Sequence, residues 1–211
     1  MDNGKIKVTL LGDSIRLRYT SEVQELLGDE FEVFSPAENC RFAKYMLRGL
    51  FDWESGMRGS RIVHFNAGLW DLCDLYGDGC FSTEEEYTAN ILRVTNLLLS
   101  RYEKVIFATT TPVSEKSIYN NNRNIRRYNE LIVPQLRERG VIINDLHSLI
   151  AEDLEGNISE DNIHLSKVGS SIAAKAVAEV IRAVRGELGE RPSVSGRCED
   201  QGEVGAPIVE G

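Results

Sequence analysis

An apolar run at residues 5 to 11 stops abruptly at Gly12-Asp13-Ser14, and this stop constrains the fold more than any other feature of the chain. The run reads as a strand buried in a parallel sheet, with the serine in the sharp turn at its carboxyl end. Further short apolar runs recur at 31 to 34, 61 to 65, 104 to 109 and 141 to 144. Stretches of helical periodicity lie at 20 to 27, 41 to 53, 83 to 102, 122 to 139 and 166 to 185. This strand-helix alternation predicts an α/β fold. Right-handed crossovers leave few arrangements of five such strands, and the expected one is a three-layer α/β/α sandwich with a flavodoxin-like parallel sheet in the order 2-1-3-4-5. The switch point then falls between the first and third strands, whose carboxyl ends carry Ser14 and the segment Asn66-Ala67-Gly68-Leu69-Trp70-Asp71. Open α/β sheets bind ligands in that crevice.

Within the helical stretches, Ser82-Thr83 ahead of Glu84, Glu85 and Glu86 reads as a helix start with acids in its first turn. The stretch at 122 to 139 turns Ile125, Tyr128, Leu131, Ile132 and Leu136 to one face, and Pro134 predicts a bend in it.

The 211 residues fit one catalytic domain at 1 to 185, followed by a tail at 186 to 211 whose composition predicts disorder. No apolar stretch approaches the ~20 residues of a membrane span, and the start carries no signal-like segment, so the expected location is the cytoplasm. The formal charge of −9, with Lys and Arg scattered among acids, argues against nucleic acid as a partner, and a neutral or small one, a small-molecule or carbohydrate ester, is expected. Cys40, Cys73, Cys80 and Cys198 show no CxxC spacing and no His at a zinc-motif interval, so no metal site is expected. Cys73 and Cys80 bracket a short loop and would pair only in an exported protein. Neither Gly-x-x-x-x-Gly-Lys-Ser/Thr nor Gly-x-Gly-x-x-Gly follows the first strand, and no cofactor is expected.

A hydroxyl such as Ser14's needs an imidazole to take its proton, and the imidazole works best when a carboxylate fixes its tautomer. His164 and Asp161, three residues apart, supply both groups. Each part alone has a plainer reading: Gly-Asp-Ser as a helix cap, Asp161 as the cap of the last helix, His164 as a surface residue. His64, inside the third strand, and His147, just after the fifth, compete for the role of base. The strand position turns His64 into packing, and His147 has no aspartate at the matching spacing.

The blocks Leu11-Gly12-Asp13-Ser14-Ile15 and Asp161-Asn162-Ile163-His164-Leu165-Ser166, with Gly169 ahead of an alanine-rich helix, resemble those of the SGNH hydrolase family, also called GDSL-type esterases and lipases. The resemblance spans residues 5 to 185. It implies that Ser14 is the nucleophile, His164 the general base that later protonates the leaving alcohol, and Asp161 the orienting acid. It also implies an oxyanion hole built from the nucleophile's N–H, a second-block glycine N–H and a third-block asparagine amide. Here no glycine stands near Asn39-Cys40-Arg41, and the third block reads Gly68-Leu69-Trp70-Asp71, with tryptophan in place of the amide. The expected donors are therefore Ser14, the backbone of Cys40 or Asn39, and the side chain of Asn66. Asp13, Arg16, Asn39, Gly68, Trp70 and Ile163 are the expected substrate contacts. Arg16 would meet a carboxylate or sugar hydroxyl, or else form a salt bridge on the first helix.

Long connections at 68 to 83 and 112 to 122 bring Trp70, Asp71, Asp74, Tyr76, Asp78, Phe81 and Tyr119 to the carboxyl edge. That mixture of aromatic faces and acids suits a sugar ring better than a long acyl chain. The expected function is a serine esterase that removes a small acyl group, chiefly acetyl, from a hydroxylated or carbohydrate-like substrate through an acyl-enzyme. The rival is a binding or regulatory module on the same scaffold that has lost its oxyanion hole.

Overall fold

Five short strands, Ile6–Leu11 (β1), Phe31–Phe34 (β2), Ile62–Phe65 (β3), Lys104–Ala108 (β4) and Ile142–Asn144 (β5), form one all-parallel sheet in the order β2-β1-β3-β4-β5. This is the order expected from the sequence. The computed structural model describes residues 4 to 189, so 190 to 211 of the expected tail lie outside the described residues. Val8, Leu10 and Leu11 of β1, Ile62, Val63 and Phe65 of β3 and Val105 to Ala108 of β4 are buried, as a sheet covered on both faces requires. The edge strands β2 and β5 are only partly covered. Register sets Leu11 beside Phe65, so Gly12 and Asn66 leave the sheet next to each other.

The helices are Ser14–Leu27 (α1), Ala43–Asp52 (α2), Glu54–Met57 (α3), Leu69–Leu72 (α4), Glu84–Leu99 (α5), Asn122–Glu138 (α6), Leu146–Ala151 (α7), Leu154–Asn157 (α8) and Lys167–Arg185 (α9). One face of the sheet carries α1 packed on α9, and α2, α5 and α6 pack side by side on the other. The first helix begins six residues before the expected start, because the Asp13 carboxylate accepts the Ile15 N–H at 3.0 Å and caps it. Ile15, Tyr19, Val23 and Leu27 form its buried stripe at four-residue spacing. The second helix begins at Ala43, later than expected, since Arg41 takes a left-handed conformation with φ 52°. Thr83 and Glu86 cap α5 reciprocally. The expected bend at Pro134 does not interrupt α6, which runs through that residue as one helix. The short helices α3, α4, α7 and α8 hold too few residues to show a period in sequence.

Cys40, Cys73 and Cys80 are free thiols. Among the described residues no helix is long and apolar enough to cross a membrane.

The start of α9 fixes where the preceding loop lies. Ser166 caps the helix by accepting the Gly169 N–H, and a Cβ at Gly169 would overlap the Asn157 carbonyl. Alanine has the higher helix propensity by about 1 kcal/mol, but the overlap is with backbone and requires α8 and α9 to part. Gly169→Ala is therefore expected to destabilise the protein by about 1–3 kcal/mol, read as a lower urea midpoint. A midpoint at or above that of the unaltered protein would contradict this packing.

His64 sits inside β3, where the Asn144 amide lies 3.3 Å from Nε2 and Tyr19 meets the ring edge-on. Burial pushes its pKa down to about 3 from an ordinary 6.5. The unfolded chain takes up this proton first as pH falls, so stability is lost from pH 6.5 downward until the folded form also protonates near pH 3. In that window His64 contributes a slope of about 1.4 kcal/mol per pH unit. His64→Gln is expected to flatten stability against pH between 6 and 4, measured by denaturant unfolding, and an unchanged slope would refute the assignment.

Candidate active site

Ser14 is the first residue of α1, so its N–H belongs to the helix start, where the helix supplies no acceptor of its own. Its hydroxyl stands at the carboxyl end of β1. The loop between α8 and α9 delivers the other two groups. An isolated bridge pairs Ile158 with Leu165, the Ser159 N–H donates to the His164 carbonyl at 2.8 Å, and Asn162 takes φ 67° at the tip. The Ser114 N–H ties that tip to the loop after β4 by donating to the Asn162 carbonyl at 3.1 Å.

This turn directs His164 Nε2 to within 2.7 Å of Ser14 Oγ, across 150 residues of chain. On the other side of the ring, His164 Nδ1 lies 2.8 Å from Asp161 Oδ2. The second oxygen of Asp161 accepts the N–H groups of Ile163 and His164 at 3.0 and 2.8 Å and the Ser159 hydroxyl at 2.9 Å. Partial burial pushes this carboxyl up. The N–H groups, the ring and the hydroxyl outweigh it and hold Asp161 well below the usual carboxylate range. An ionised Asp161 takes the hydrogen on Nδ1, which leaves Nε2 as a lone-pair acceptor for the Ser14 hydroxyl. Arg18, one turn beyond Ser14, places Nη2 3.8 Å from Asp161 Oδ2. The four-residue spacing of Arg18 from Ser14, one helical turn, is the signal for this contact that the sequence carries.

The residues around the nucleophile turn depart from several expectations. Asp13, expected at the substrate, is buried: its Oδ1 accepts the Ile15 N–H at 3.0 Å and the Asn66 amide at 3.0 Å. Burial raises its carboxyl, and Asn66, the Ile15 N–H, Arg16 and His164 pull the other way without cancelling the rise. Arg16, expected to meet substrate or an acid, is 1% exposed and does neither. Its guanidinium donates to Ser35 Oγ, to the carbonyls of Pro36 and Glu38 and to that of Gly12, pinning the loop after β2 to the nucleophile turn. Cys40, expected to offer a backbone donor, has its N–H engaged by the Gly12 carbonyl at 3.0 Å. The left-handed backbone that a glycine would adopt falls instead at Arg41, whose N–H is taken by Asn39 Oδ1 at 2.7 Å. That bond engages Asn39 in the turn itself.

Asn66 lies one residue beyond β3, with its amide nitrogen on Asp13 and its oxygen against Gly12. The amide has two hydrogens, and the second meets no acceptor among the described residues. Gly68 is buried, and a Cβ there would overlap the Thr110 side chain. Asp71 is fully buried and joins three segments: its carboxylate accepts the Ala43 N–H at 3.0 Å and the Ser82 hydroxyl at 2.9 Å. Burial pushes its pKa up to about 6 against those two donors. Ile163 is half-buried against the core. Trp70, by contrast, is exposed at 41%, and Tyr76, Phe81 and Tyr119 are exposed as well. A cleft of about 480 Å³ borders the His164 loop, lined among others by Ser114, Lys116, Ser159, Glu160 and Asn162. His147 faces elsewhere, into a separate cavity between α6 and α7, and its N–H donates to Thr109 Oγ1.

No protein-family model and no curated protein matches the sequence. Solved structures do. A lipase/acylhydrolase from Enterococcus faecalis superposes with a TM-score of 0.73 at 17% identity, covering 89% of this chain and 100% of that one. An acetyl xylan esterase gives 0.71 at 20% identity, covering 83% and 100%. A GDSL-like lipase from Bacteroides thetaiotaomicron gives 0.67 at 16% identity, covering 86% and 89%. With its all-parallel sheet between two helical layers, the chain has the fold of the SGNH hydrolases.

Proposed function

We propose that this protein is a serine esterase that hydrolyses small acyl esters, acetyl esters first among them. The observation that carries the reading is the unbroken relay from Asp161 through His164 to Ser14, with contacts of 2.8 and 2.7 Å. In the first half-reaction Ser14 Oγ bonds to the ester carbonyl carbon while its proton passes to His164 Nε2. The same proton then leaves with the departing alcohol as the ester C–O bond breaks, giving an acyl-serine. Water repeats the sequence, giving its proton to His164 as it attacks, and the free acid departs as Ser14 recovers its hydrogen. The Asp161 carboxylate stays ionised throughout and steadies the imidazolium.

The developing oxyanion needs preorganised donors. The Ser14 N–H at the start of α1 is one, favoured by the positive end of the helix dipole. The spare hydrogen of the Asn66 amide is the second. Exposed aromatic faces at Trp70, Tyr76 and Phe81, together with Asp74 and Asp78, support a hydroxylated or carbohydrate-like alcohol half. The acetyl xylan esterases among the structural neighbours support the same substrate class.

Ser14→Ala is expected to abolish release of p-nitrophenol from p-nitrophenyl acetate while the circular dichroism spectrum stays unchanged. A fluorophosphonate should label the unaltered protein and leave the variant unlabelled. Turnover retained by pure Ser14→Ala protein would remove Ser14 from the mechanism. Asn66→Ala is expected to lower kcat by about 10² to 10³ with little change in KM, since the donor acts on the transition state more than on bound ester. An equal kcat would move the second donor elsewhere.

A further inference from the structure

The geometry around Asn66 assigns Asp13 a task besides capping α1: we propose that Asp13 is a positioning residue that fixes which end of the Asn66 amide faces Ser14. The inference rests on the reading of Ser14 as nucleophile and deepens it. A primary amide has a donor end and an acceptor end of nearly equal size, so packing alone does not choose between its two orientations. For an oxyanion the choice decides everything, because an oxygen pointed at a developing negative charge repels it.

Three observations show what makes the choice. Asn66 Nδ2 donates to Asp13 Oδ1 at 3.0 Å inside the protein, where both residues are at most 6% exposed. Asn66 Oδ1 lies against Gly12 and finds no hydrogen-bond partner among the described residues, although a buried carbonyl oxygen ordinarily has one. The orientation is thus set at the nitrogen and not at the oxygen. Turning the amide over would press its oxygen against the carboxylate oxygen, two acceptors in contact away from water. The backbone of Asn66 is fixed independently, through its N–H to the Leu11 carbonyl at 3.1 Å. The side-chain torsion is therefore what remains for Asp13 to set. The same Asp13 oxygen accepts the Ile15 N–H, so the start of α1, which presents Ser14, and the amide are referred to one atom.

Two substitutions separate this task from capping. Serine is a good helix cap, but its hydroxyl is one bond shorter and does not reach Asn66. Asparagine keeps an acceptor oxygen in the place of Oδ1 and gives up the charge. Asp13→Ser is expected to lower kcat on p-nitrophenyl acetate at least about tenfold, toward the 10² to 10³ of losing the donor altogether, with KM within about twofold. Asp13→Asn is expected to restore most of that loss. Adding Asn66→Ala to Asp13→Ser should cost little more, since the donor has already been lost from the hole. In the amide region of a ¹⁵N NMR spectrum, the Asn66 side-chain signal, identified by its absence in Asn66→Ala, should shift in Asp13→Ser and hold in Asp13→Asn. The proposal is overturned by an Asp13→Ser protein within twofold of the unaltered kcat, by multiplicative losses in the double variant, by an Asn66 signal that does not move, or by Asp13→Asn as impaired as Asp13→Ser. The last result would assign the effect to charge. An unaltered protein that turns over no ester sinks the reading of Ser14 instead, and the proposal with it. Thermal melts of each variant tell misfolding from misorientation, and a misfolded Asp13→Ser leaves the NMR signal of Asp13→Asn to decide: a shift there overturns the proposal and an unshifted signal supports it.

Discussion

The contact between the His164 imidazole and the Ser14 hydroxyl joins groups 150 residues apart, and the packing of α1 on α9 is what closes that span. Closing so long a loop is less costly than its length suggests, because the entropy grows only with the logarithm of length, about 0.6 kcal/mol per doubling. Against it stand Tyr19, Val23 and Leu27 on α1 and Val177, Ile181 and Val184 on α9, all buried, each contributing about 1.5–3 kcal/mol when removed from water. Ala173, Ala174 and Ala178 are buried in the same stripe and let the helix lie close to its neighbours. The rim adds directional ties, with the Ser171 hydroxyl on the Glu22 carboxylate at 2.5 Å and Arg185 on Glu30 at 2.7 Å. Only the Arg185–Glu30 contact is an ion pair, and an exposed pair contributes little energy, so the rotation of one helix on the other follows from the buried stripes. Because Ser14 begins α1 and the His164 loop feeds directly into α9, that rotation is also the geometry of the candidate relay.

What was legible in the sequence follows from how local each signal is. Strands β1, β3 and β4 are short runs buried on both faces, so their apolar residues announce them, and the order of the sheet then follows from crossover handedness. The pairing of Ser14 with His164 and Asp161 was legible because each lies in a compact block whose chemistry is complete within a few residues. Arg16 was misread for the opposite reason. In sequence it is a cation beside a serine; only the fold brings Ser35, Pro36 and Glu38 over it, and those acceptors come from about twenty residues away. Cys40 fails similarly, since nothing local says that its N–H will meet the Gly12 carbonyl. The early start of α1 was hidden by Arg16 and Arg18, whose charges mask the stripe that begins at Ile15. Asp71, read as part of a pocket loop, serves as the remote cap of α2, whose own cap position is held by Phe42 without a side-chain acceptor.

These misreadings cluster at the carboxyl edge of the sheet, and the clustering has a physical cause. Where parallel strands end, the chain turns away and leaves N–H and C=O groups without ladder partners in a region still covered by helices. Buried polar side chains must complete them. The Asn129 amide closes on the N–H and C=O of Thr110, Asn122 does the same for Val113, and Arg16 serves three backbone carbonyls besides the Ser35 hydroxyl and the Cys40 sulfur. A sequence pattern that scores Asp, Asn and Arg as surface residues reads such an edge as a loop open to solvent. Open α/β sheets also form their ligand crevice at this edge, so buried polar residues that complete the backbone and residues open to the crevice are interleaved there. Arg16 at 1% exposure completes the backbone, whereas Trp70 at 41% stands open at the same edge.

Trp70 also changes what the rest of the site must do. With an indole at the position where the resemblance called for an amide, and with the Cys40 N–H committed to Gly12, the proposed oxyanion hole is left with the Ser14 N–H and needs a partner for it. Asn66 meets three conditions together that no other amide on this edge does. It leaves β3 beside Gly12, its backbone is fixed by Leu11, and one of its hydrogens lacks an acceptor among the described residues. Asn129 and Asn122 have their amides bonded on both sides to backbone, and Asn120 gives its own to the Leu69 carbonyl at 2.8 Å. A lone donor from a flexible side chain would lose much of its effect to reorganisation, whereas a donor held by a buried carboxylate is already oriented when charge develops. Burial raises the Asp13 carboxyl, and the Asn66 amide, the Ile15 N–H and Arg16, the same groups that build the nucleophile turn, oppose that rise without cancelling it. The stability of the turn and the direction of the donor thus both rest on one buried carboxyl oxygen, Asp13 Oδ1.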